Sequence, residues 1–516
     1  MSCAPGNAGG APQVSISVPP AQCRPKKTPK QGGQASLSSS VANLANTIVG
    51  TGMVALPGAF IYTGWLLGIL LVVFCSLTGA FGLYLLTRCA NKLGGRRQSF
   101  FTVALKTIPK GARWFDLAIA LKCYGVSISY LVISGQLMPQ VVLSFLKAAG
   151  HEHEAIPEWL LDRNFWVTTL VVLMLPLCFL RRLDSLRHTS YLSLMAVVYL
   201  VLIVVVFFFS SGARSSLPPR GDVHAVVFSP HILAIFPVFV FAFTCAQNML
   251  PVYNELSASD PLMHLDRAKS AIGYSIGGAA TVYVSVAVLG YLEFGSSLGD
   301  NIIAMYPSSS MFVAVGRLSI VLFTIFSYPL QVHPCRAAVD KVLCPPKRRN
   351  GIELPGDDLD VRRNGVGQAS EEDDNRDDED AEDDSGAHEA LLASHALLTG
   401  ALGPEDMPLT RWLAITATLL VTTFTVALVI DDLTIVLGFV GSLGSTTISF
   451  ILPGILYSSL HTDVPNDRLR RPAQCLAAWG FLVGTVALIS NVLKLVHFGM
   501  AIEAEAKVDH LHPPSA

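Results

Sequence analysis

The sequence predicts an all-α integral membrane protein with about eleven transmembrane helices. Half of its 516 residues are hydrophobic (51%), only 14% are charged, and the mean hydropathy is +0.50. Soluble domains carry about 25% charged residues, so this chain is too apolar for a fold whose whole surface meets water. Apolar runs such as 191–210 and 412–430 approach the ~20 residues that an α-helix needs to cross a bilayer.

Eleven apolar segments are predicted as transmembrane helices, numbered helix 1 to helix 11 along the chain. Helix 10 is the least regular of them, because it is rich in glycine and follows helix 9 closely. The predicted ranges are 36–62, 64–88, 113–144, 164–181, 188–211, 230–257, 268–295, 310–336, 411–431, 433–459 and 473–497.

The polar parts of the chain are predicted to be disordered. Between helices 8 and 9 the run 371–384 is acidic at eleven of its fourteen positions. Such a run repels itself and buries no apolar area, which is typical of an unfolded segment. The predicted organisation is a cytosolic arm at 1–34, helices 1 to 8 within 35–345, an acidic cytosolic loop at 346–410, helices 9 to 11 within 411–498, and a short polar tail at 499–516.

Positive charge predicts the orientation in the membrane. Most lysines and arginines beside the predicted helices fall on the side of the N-terminus, which is therefore predicted to be cytosolic. Eleven helices then place the C-terminus in the lumen or outside the cell. No cysteine lies in a predicted outward-facing loop, and the chain contains no Asn-X-Ser/Thr site for glycosylation. These two observations favour the membrane of a vacuole or lysosome over the plasma membrane.

Two predicted helices contain residues that interrupt a helix at membrane depth. Helix 1 contains Gly50, Gly52 and Pro57, and helix 6 contains Pro237 and Pro251 around several polar residues. Interrupted backbone is tolerated in hydrocarbon only where it lines a cavity or is buried in protein. Helices 1 and 6 are five helices apart, as in transporters built from two inverted five-helix repeats whose first helices are broken beside the substrate. The alternative is a pair of kinks filled by neighbouring helices.

Four ordered strings of residues resemble the amino acid/auxin permease family. They are NLANTIVGTGMVALPGAF in helix 1, LKCYGVSISYLVISGQLMP in helix 3, FAFTCAQNMLPVYNEL in helix 6 and FSYPLQVHPCR in helix 8. The family includes fungal vacuolar amino acid transporters and sodium-coupled neutral amino acid transporters. The resemblance implies a LeuT-type fold, in which helices 1–5 and 6–10 form inverted halves and helix 11 follows them. One departure is Gln136, where many relatives carry an acidic residue.

The resemblance also implies a substrate site at the two interrupted helices. Backbone N–H groups at the helix 1 break would bind the carboxylate of an amino acid at the positive end of a half-helix. Carbonyl and hydroxyl groups of helix 6 would face its amino group. The implied substrate-binding residues are Thr47, Gly50, Thr51, Gly52, Phe243, Thr244 and Cys245.

Three further side chains are candidates for ion coupling. Asn46 and Ser327 fall where sodium-coupled relatives hold a cation, although a serine in a membrane helix often bonds the carbonyl four residues earlier. His333 suits a proton relay because histidine titrates near neutral pH, and a packed, hydrogen-bonded histidine is the alternative. Lys122, inside helix 3, either extends to the cytosolic surface or neutralises a carboxylate. A proton is favoured over sodium as the coupling ion.

The predicted function is secondary active transport of amino acids, as a symporter or antiporter, by alternating access around helices 1 and 6. The expected partners are an amino acid, a proton or sodium ion and the lipid bilayer. No catalytic motif, metal-type spacing or basic stretch with interleaved aromatics is present in the sequence, so no enzyme activity, cofactor, metal or nucleic acid is expected. The alternative is an amino acid sensor on the same fold with little net flux.

Overall fold

A computed structural model shows an almost entirely helical chain. It describes residues 35–94, 100–108, 111–150, 156–179, 189–257, 261–344, 407–464 and 466–511. The predicted arm at 1–34 and nearly all of the predicted acidic loop at 346–410 lie outside the described residues.

The helices of the described residues are numbered α1 to α17. Those before the middle of the chain are α1 (Leu37–Ile48), α2 (Thr51–Ala59), α3 (Gly64–Leu93), α4 (Phe100–Thr107), α5 (Ala112–Ala148), α6 (Glu158–Leu161), α7 (Arg163–Cys178), α8 (Thr189–Phe209) and α9 (Ser211–Arg214). The others are α10 (Ile232–Ala242), α11 (Ala246–Glu255), α12 (Pro261–Phe294), α13 (Met311–Leu343), α14 (Leu409–Val429), α15 (Leu433–Phe439), α16 (Leu452–Leu460) and α17 (Arg470–Leu511).

The long helices are suited to a bilayer. Within the described part of the chain, eight helical segments are long and apolar enough to cross it, and the bent pair α1–α2 makes a ninth. The α7 helix and the 193–209 part of α8 are shorter apolar helices. Outward-facing side chains such as Leu70 and Leu77 on α3 are more than half exposed, as expected for a surface against lipid. The all-α membrane architecture is thereby confirmed, and the total of eleven spans stays a prediction.

Two arginines are buried inside the bundle, and backbone carbonyls accept hydrogen bonds from both. Arg317 on α13 is fully buried and donates to the carbonyls of Ile303 and Tyr306. This holds the connection between α12 and α13 against the bundle. Arg336 lies nearer the C-terminal end of α13. It donates to the Thr416 hydroxyl of α14 at 3.0 Å, so it ties these two helices together.

The predicted helix 10 contains a π-helical segment at its centre. Helix 10 consists of α15, then two π-helical stretches at Val440–Ser445 and Thr447–Ile451, then α16. The two π-helical stretches together are the π-helical segment. π-helical turns are rare and frequently occur at functional sites. Glycines let this segment approach its neighbours closely: a Cβ on Gly444 would lie 2.7 Å from the Lys122 Cβ, and one on Gly441 would overlap the Pro237 carbonyl. The segment therefore lies directly against α5 and α10.

Candidate functional site

The predicted break in helix 1 is present. The chain leaves helical geometry at Val49 and Gly50, and α1 and α2 meet at an angle of 52°. No side chain caps the first turn of α2 at Gly50. The first N–H groups of a helix have no acceptor within it, and they lie at the positive end of its dipole. The N-terminus of α2, at Thr51, is therefore suited to bind an anion such as a carboxylate.

The predicted break in helix 6 is present as well. The α10 helix ends at Ala242, and the next three residues lie outside the helices before α11 begins at Ala246. Within this segment the Thr244 hydroxyl donates to the Val240 carbonyl at 2.9 Å and accepts from Ser449 of helix 10 at 3.3 Å. The Phe243 ring packs edge-on against another aromatic ring of α12. The break is thus held by protein groups on two sides.

One side chain connects the two breaks, and it is not among the site residues predicted from the sequence. The hydroxyl of Tyr283 on α12 lies 2.7 Å from the Ile48 carbonyl and 3.0 Å from the Ala242 carbonyl, and its ring is fully buried. These carbonyls stand at the C-terminal ends of α1 and α10, where helices leave acceptors unpaired. The sequence signal that could have identified this residue is a tyrosine among the small residues of predicted helix 7.

The two glycines of the helix 1 break have different surroundings. A Cβ on Gly52 would lie 3.0 Å from the Ala242 Cα, so this glycine allows α2 to pack on the end of α10. A Cβ on Gly50 would meet nothing within 4 Å. The open face of the break is therefore at Gly50, and the Cβ position of Gly52 is taken up by helix packing.

The cavity at the helix 1 break is nearly closed. Its volume is about 20 Å³, close to the space that one water molecule occupies. An amino acid does not fit in this space, so binding requires the surrounding helices to separate. The cavity is lined by Gly50, Thr51, Met53, Val54, Ile133, Ala196, Val197, Leu200, Ile320, Phe323 and Thr324.

Polar groups just before the helix 1 break face those of α11. The Thr47 hydroxyl donates to the Asn43 carbonyl at 2.9 Å and accepts from the Asn248 amide at 2.6 Å, which ties α1 to α11. The amide oxygens of Asn46 and Gln247 are buried, and neither has a hydrogen-bond partner among the described residues. Amide oxygens of this kind are ligands for hard cations and acceptors for an ammonium group.

The other two coupling candidates lie on α13. Ser327 is mostly buried and faces the hydroxyl of Tyr130 on α5. In the described part of the chain no hydrogen bond joins Ser327 to Asn46, and a cation site shared by these two residues stays a prediction. His333 lies half-buried next to Pro334.

A larger cavity, which was not predicted from the sequence, lies at one end of the bundle. Its volume is about 440 Å³, and it contains three carboxylates together with Arg163 and Lys494. Burial raises the pKa of the Asp300 carboxyl above its usual range. This vestibule is lined by Gly58, Ile61, Tyr62, Gln136, Arg163, Leu298, Gly299, Asp300, Asp431, Asp432, Thr434 and Lys494.

Gln136 organises one wall of the vestibule. Its amide nitrogen donates to the Asp431 carbonyl at 2.9 Å and to the Asp300 carboxylate at 3.3 Å, while its oxygen accepts from Asn301 at 2.9 Å. A neutral amide can donate and accept at once, whereas an acidic side chain in this place would repel Asp300. The departure at this position therefore matches the Asp300 carboxylate in the connection between α12 and α13.

Lys122 is placed differently from both alternatives that the sequence left open. Its side chain is only 4% exposed, so it does not reach a surface. Within the described residues no carboxylate forms an ion pair with it. It lies instead near the thiol of Cys245, at the break of helix 6, close enough for the two groups to interact electrostatically.

We expect Tyr283→Phe to destabilise the protein by about 1–3 kcal/mol, because two buried carbonyl oxygens would lose their donor. The ring and its packing would be kept. Thermal unfolding of the purified protein measures the effect. Tyr274→Phe is the matched control, since that residue lies on the same helix and is 68% exposed. Equal melting temperatures for Tyr283→Phe and the wild type would show that the hydroxyl is not needed at the breaks.

A family model identifies the chain. The model described as transmembrane amino acid transporter protein matches residues 33–495. The chain belongs to this family. A family relative, vacuolar amino acid transporter 5 of Schizosaccharomyces pombe, is 37% identical over 477 residues, which cover 90% of this chain and 96% of the relative.

One further relative and one solved structure also match most of the chain. Vacuolar amino acid transporter 7 of Saccharomyces cerevisiae is 31% identical over 500 residues, covering 89% of this chain and 98% of the relative. Among solved structures, an inward-facing conformation of Mhp1 covers 91% of this chain and 92% of its own, with a TM-score of 0.49 and 12% identity.

Proposed function

We propose that this protein carries amino acids across the vacuolar membrane by ion-coupled alternating access. The observation that carries the proposal is the pair of interrupted helices, α1–α2 and α10–α11, whose breaks meet at one buried tyrosine. The family and the names of its fungal relatives support the amino acid substrate, the vacuolar membrane, and a transporter in place of an enzyme. The alternative is a sensor that binds an amino acid without moving it.

The substrate is proposed to bind across the two breaks. Its carboxylate would accept hydrogen bonds from the first N–H groups of α2, at Thr51, where Gly50 leaves the approach open. Its ammonium group would donate to carbonyls at the ends of α1 and α10, with Thr244 and the Asn46 amide oxygen close by in the chain. In the closed conformation, Tyr283 shares its one hydroxyl proton between those two carbonyls and thereby occupies the place of the ammonium donor.

The two ends of the bundle differ: a vestibule lies at one end, and direct contacts between helices close the other. The vestibule lies at the end that positive charge predicts to be lumenal. At the other end, the N–H of Ala35 donates to the Glu255 carbonyl at 2.9 Å, and Lys92 of α3 pairs with Asp463. Opening toward the cytosol would break these contacts, so they are proposed to form the cytosolic gate.

The proposal is tested by transport in proteoliposomes. The purified protein is reconstituted, and uptake of a panel of labelled amino acids is measured with imposed proton or sodium gradients. Exchange of labelled against unlabelled substrate separates the two functions, since a sensor binds substrate without exchange. Binding of an amino acid without any exchange would overturn the transporter and favour the sensor.

We expect a pH gradient to drive uptake without sodium. If sodium also binds at Ser327, Ser327→Ala should reduce any stimulation by sodium roughly tenfold, the value of one hydrogen bond or ligand. Ser319→Ala is the control, because Ser319 lies on the same helix and its hydroxyl donates only to the Gly316 carbonyl among the described residues. Uptake that requires sodium and ignores the pH gradient would contradict proton coupling.

A further inference from the structure

A buried amino group lies beside the break of helix 6. Lys122 is on α5, ten residues after its first residue, and its side chain is 4% exposed. The π-helical segment of helix 10 covers it, because a Cβ on Gly444 would lie 2.7 Å from the Lys122 Cβ and 2.9 Å from its Cα. The next residue of that segment, Ser445, has a fully buried hydroxyl without a hydrogen-bond partner among the described residues. Two polar side chains thus stand in a dry region between α5, helix 6 and helix 10.

Among the described residues, no carboxylate forms an ion pair with Lys122. The titratable groups that interact with it electrostatically are the thiols of Cys123 on the same helix and Cys245 on the helix 6 break. The π-helical stretch Val440–Ser445, which contains Gly444, consists of glycine, serine and apolar residues. From α13 comes the thiol of Cys335, which donates to the Ala120 carbonyl. Arg336 on the same helix is held away by Thr416 of α14.

An ammonium group in such a place is costly unless water reaches it. Burial without a counter-charge disfavours the protonated form of a lysine, whereas contact with water favours it. A lysine is therefore a proton-binding group whose occupancy follows the hydration of its surroundings. The cavity at the helix 1 break holds about 20 Å³ in this closed conformation, and it must widen to admit substrate. The movement that admits an amino acid would then also wet and dry the neighbouring helix 6 break.

We propose that the Nζ of Lys122 carries the coupling proton, an assignment that rests on the proton-driven transport proposed above. When the site is open to the lumen, the neutral amine accepts a proton from a hydronium ion, so that an N–H bond forms, an O–H bond breaks and neutral water is left. When the site is open to the cytosol, that N–H bond breaks and the proton passes to water there. The amine returns neutral, no other group changes its charge, and one proton moves for each substrate.

The geometry links this proton to the substrate site. Cys245, which Lys122 faces, directly precedes α11, and Thr244 bonds to both α10 and helix 10. A change in the position of α11 or of the π-helical segment would change the space around Nζ. Proton binding and the opening of the helix 6 break are therefore coupled through Cys245, which interacts electrostatically with Lys122, and through Gly444, which packs on it.

The test uses full-length protein in proteoliposomes and three substitutions. Lys122→Met and Lys122→Gln keep much of the side-chain length without a titratable group, and Lys122→Arg keeps a permanent charge. Lys147→Met, near the end of the same helix, is the control. Three quantities are measured: exchange of labelled substrate at several pH values, accumulation driven by a pH gradient, and substrate-induced proton flux with a trapped pH-sensitive dye.

We expect the wild type and Lys147→Met to accumulate substrate, up to about tenfold for each unit of pH gradient if one proton accompanies each substrate. In Lys122→Met and Lys122→Gln, exchange should continue with a flat pH profile, accumulation should fall to a ratio of one, and proton flux should vanish. Lys122→Arg should show no proton-driven accumulation, because arginine does not release its proton.

Four outcomes would overturn the assignment or separate it from the proposed function. Proton-driven accumulation in Lys122→Met, or in Lys122→Arg, would show that another group carries the proton. Loss of folded protein in all three variants would assign Lys122 a packing role and overturn the proposal. A wild type that ignores the pH gradient would instead contradict proton coupling as a whole. That result comes from the wild type alone and does not depend on the Lys122 variants.

Discussion

Gly52→Val is expected to abolish transport and to destabilise the folded protein. A Cβ at this position would lie 3.0 Å from the Cα and 3.2 Å from the Cβ of Ala242, so a valine would push α2 away from the end of α10. Overpacking of this kind costs about 1–3 kcal/mol. The same displacement would separate the Ile48 and Ala242 carbonyls that Tyr283 bridges. Uptake in proteoliposomes and thermal unfolding in detergent measure the two effects.

The control for this substitution is Gly277→Val on α12. A Cβ on Gly277 would meet nothing within 4 Å, and the residue is exposed on the outer face of the bundle. Gly277→Val should therefore insert, unfold and transport like the wild type. If Gly52→Val transports at the wild-type rate at equal abundance, the contact between α2 and α10 is not needed for the transport cycle.

The places of the two breaks were predictable from local chemistry. Glycine weakens a helix, and Gly50 stands at the break of helix 1. In helix 6 the break lies between Pro237 and Pro251, which themselves stand inside α10 and α11. The spacing of five helices between them is visible in the hydropathy pattern alone. The order of the helices followed from the same pattern, because each apolar run is long enough to be recognised without its neighbours.

The contacts at the breaks were not predictable in the same way, since they join residues far apart in the chain. The resemblance implies that Gly52 binds substrate, yet the space beside its Cα is filled by Ala242, 190 residues later. Tyr283 bridges carbonyls that lie 235 and 41 residues away. Lys122 was expected to reach a surface or a carboxylate, and the packing of helix 10 prevents the first. No local pattern records which helix covers such a residue.

The vestibule shows the same limit for charged residues. Asp431 and Asp432 follow α14, and Asp300 lies in the connection between α12 and α13. Their meeting depends on the packing of α5, from which Gln136 donates to both connections. The sequence marked Gln136 as a departure from the acidic residue of many relatives, and the reason for it became visible only with Asp300 beside it.

The carboxylate site is tested most directly at Gly50. Nothing lies within 4 Å of a Cβ built at this position, so Gly50→Ala should leave the substrate-free protein as stable as the wild type, and Gly50→Val adds two further methyl groups. The added methyl groups would occupy the small cavity in front of the first N–H groups of α2. A substrate carboxylate would lose hydrogen bonds of about 1.5–3 kcal/mol each, so two such bonds correspond to an affinity loss of roughly 100-fold or more.

Gly50→Ala, with one methyl group, should give an intermediate loss, and this graded series separates the binding role of Gly50 from the packing role of Gly52. The measurements are the melting temperature with and without amino acid, and the substrate concentration that gives half-maximal exchange. The expected results are a normal melting temperature without substrate for Gly50→Ala and a lost substrate-induced shift in melting temperature for Gly50→Val. Wild-type affinity in both variants would place the carboxylate away from the N-terminus of α2, because Gly50 and Thr51 line the same cavity.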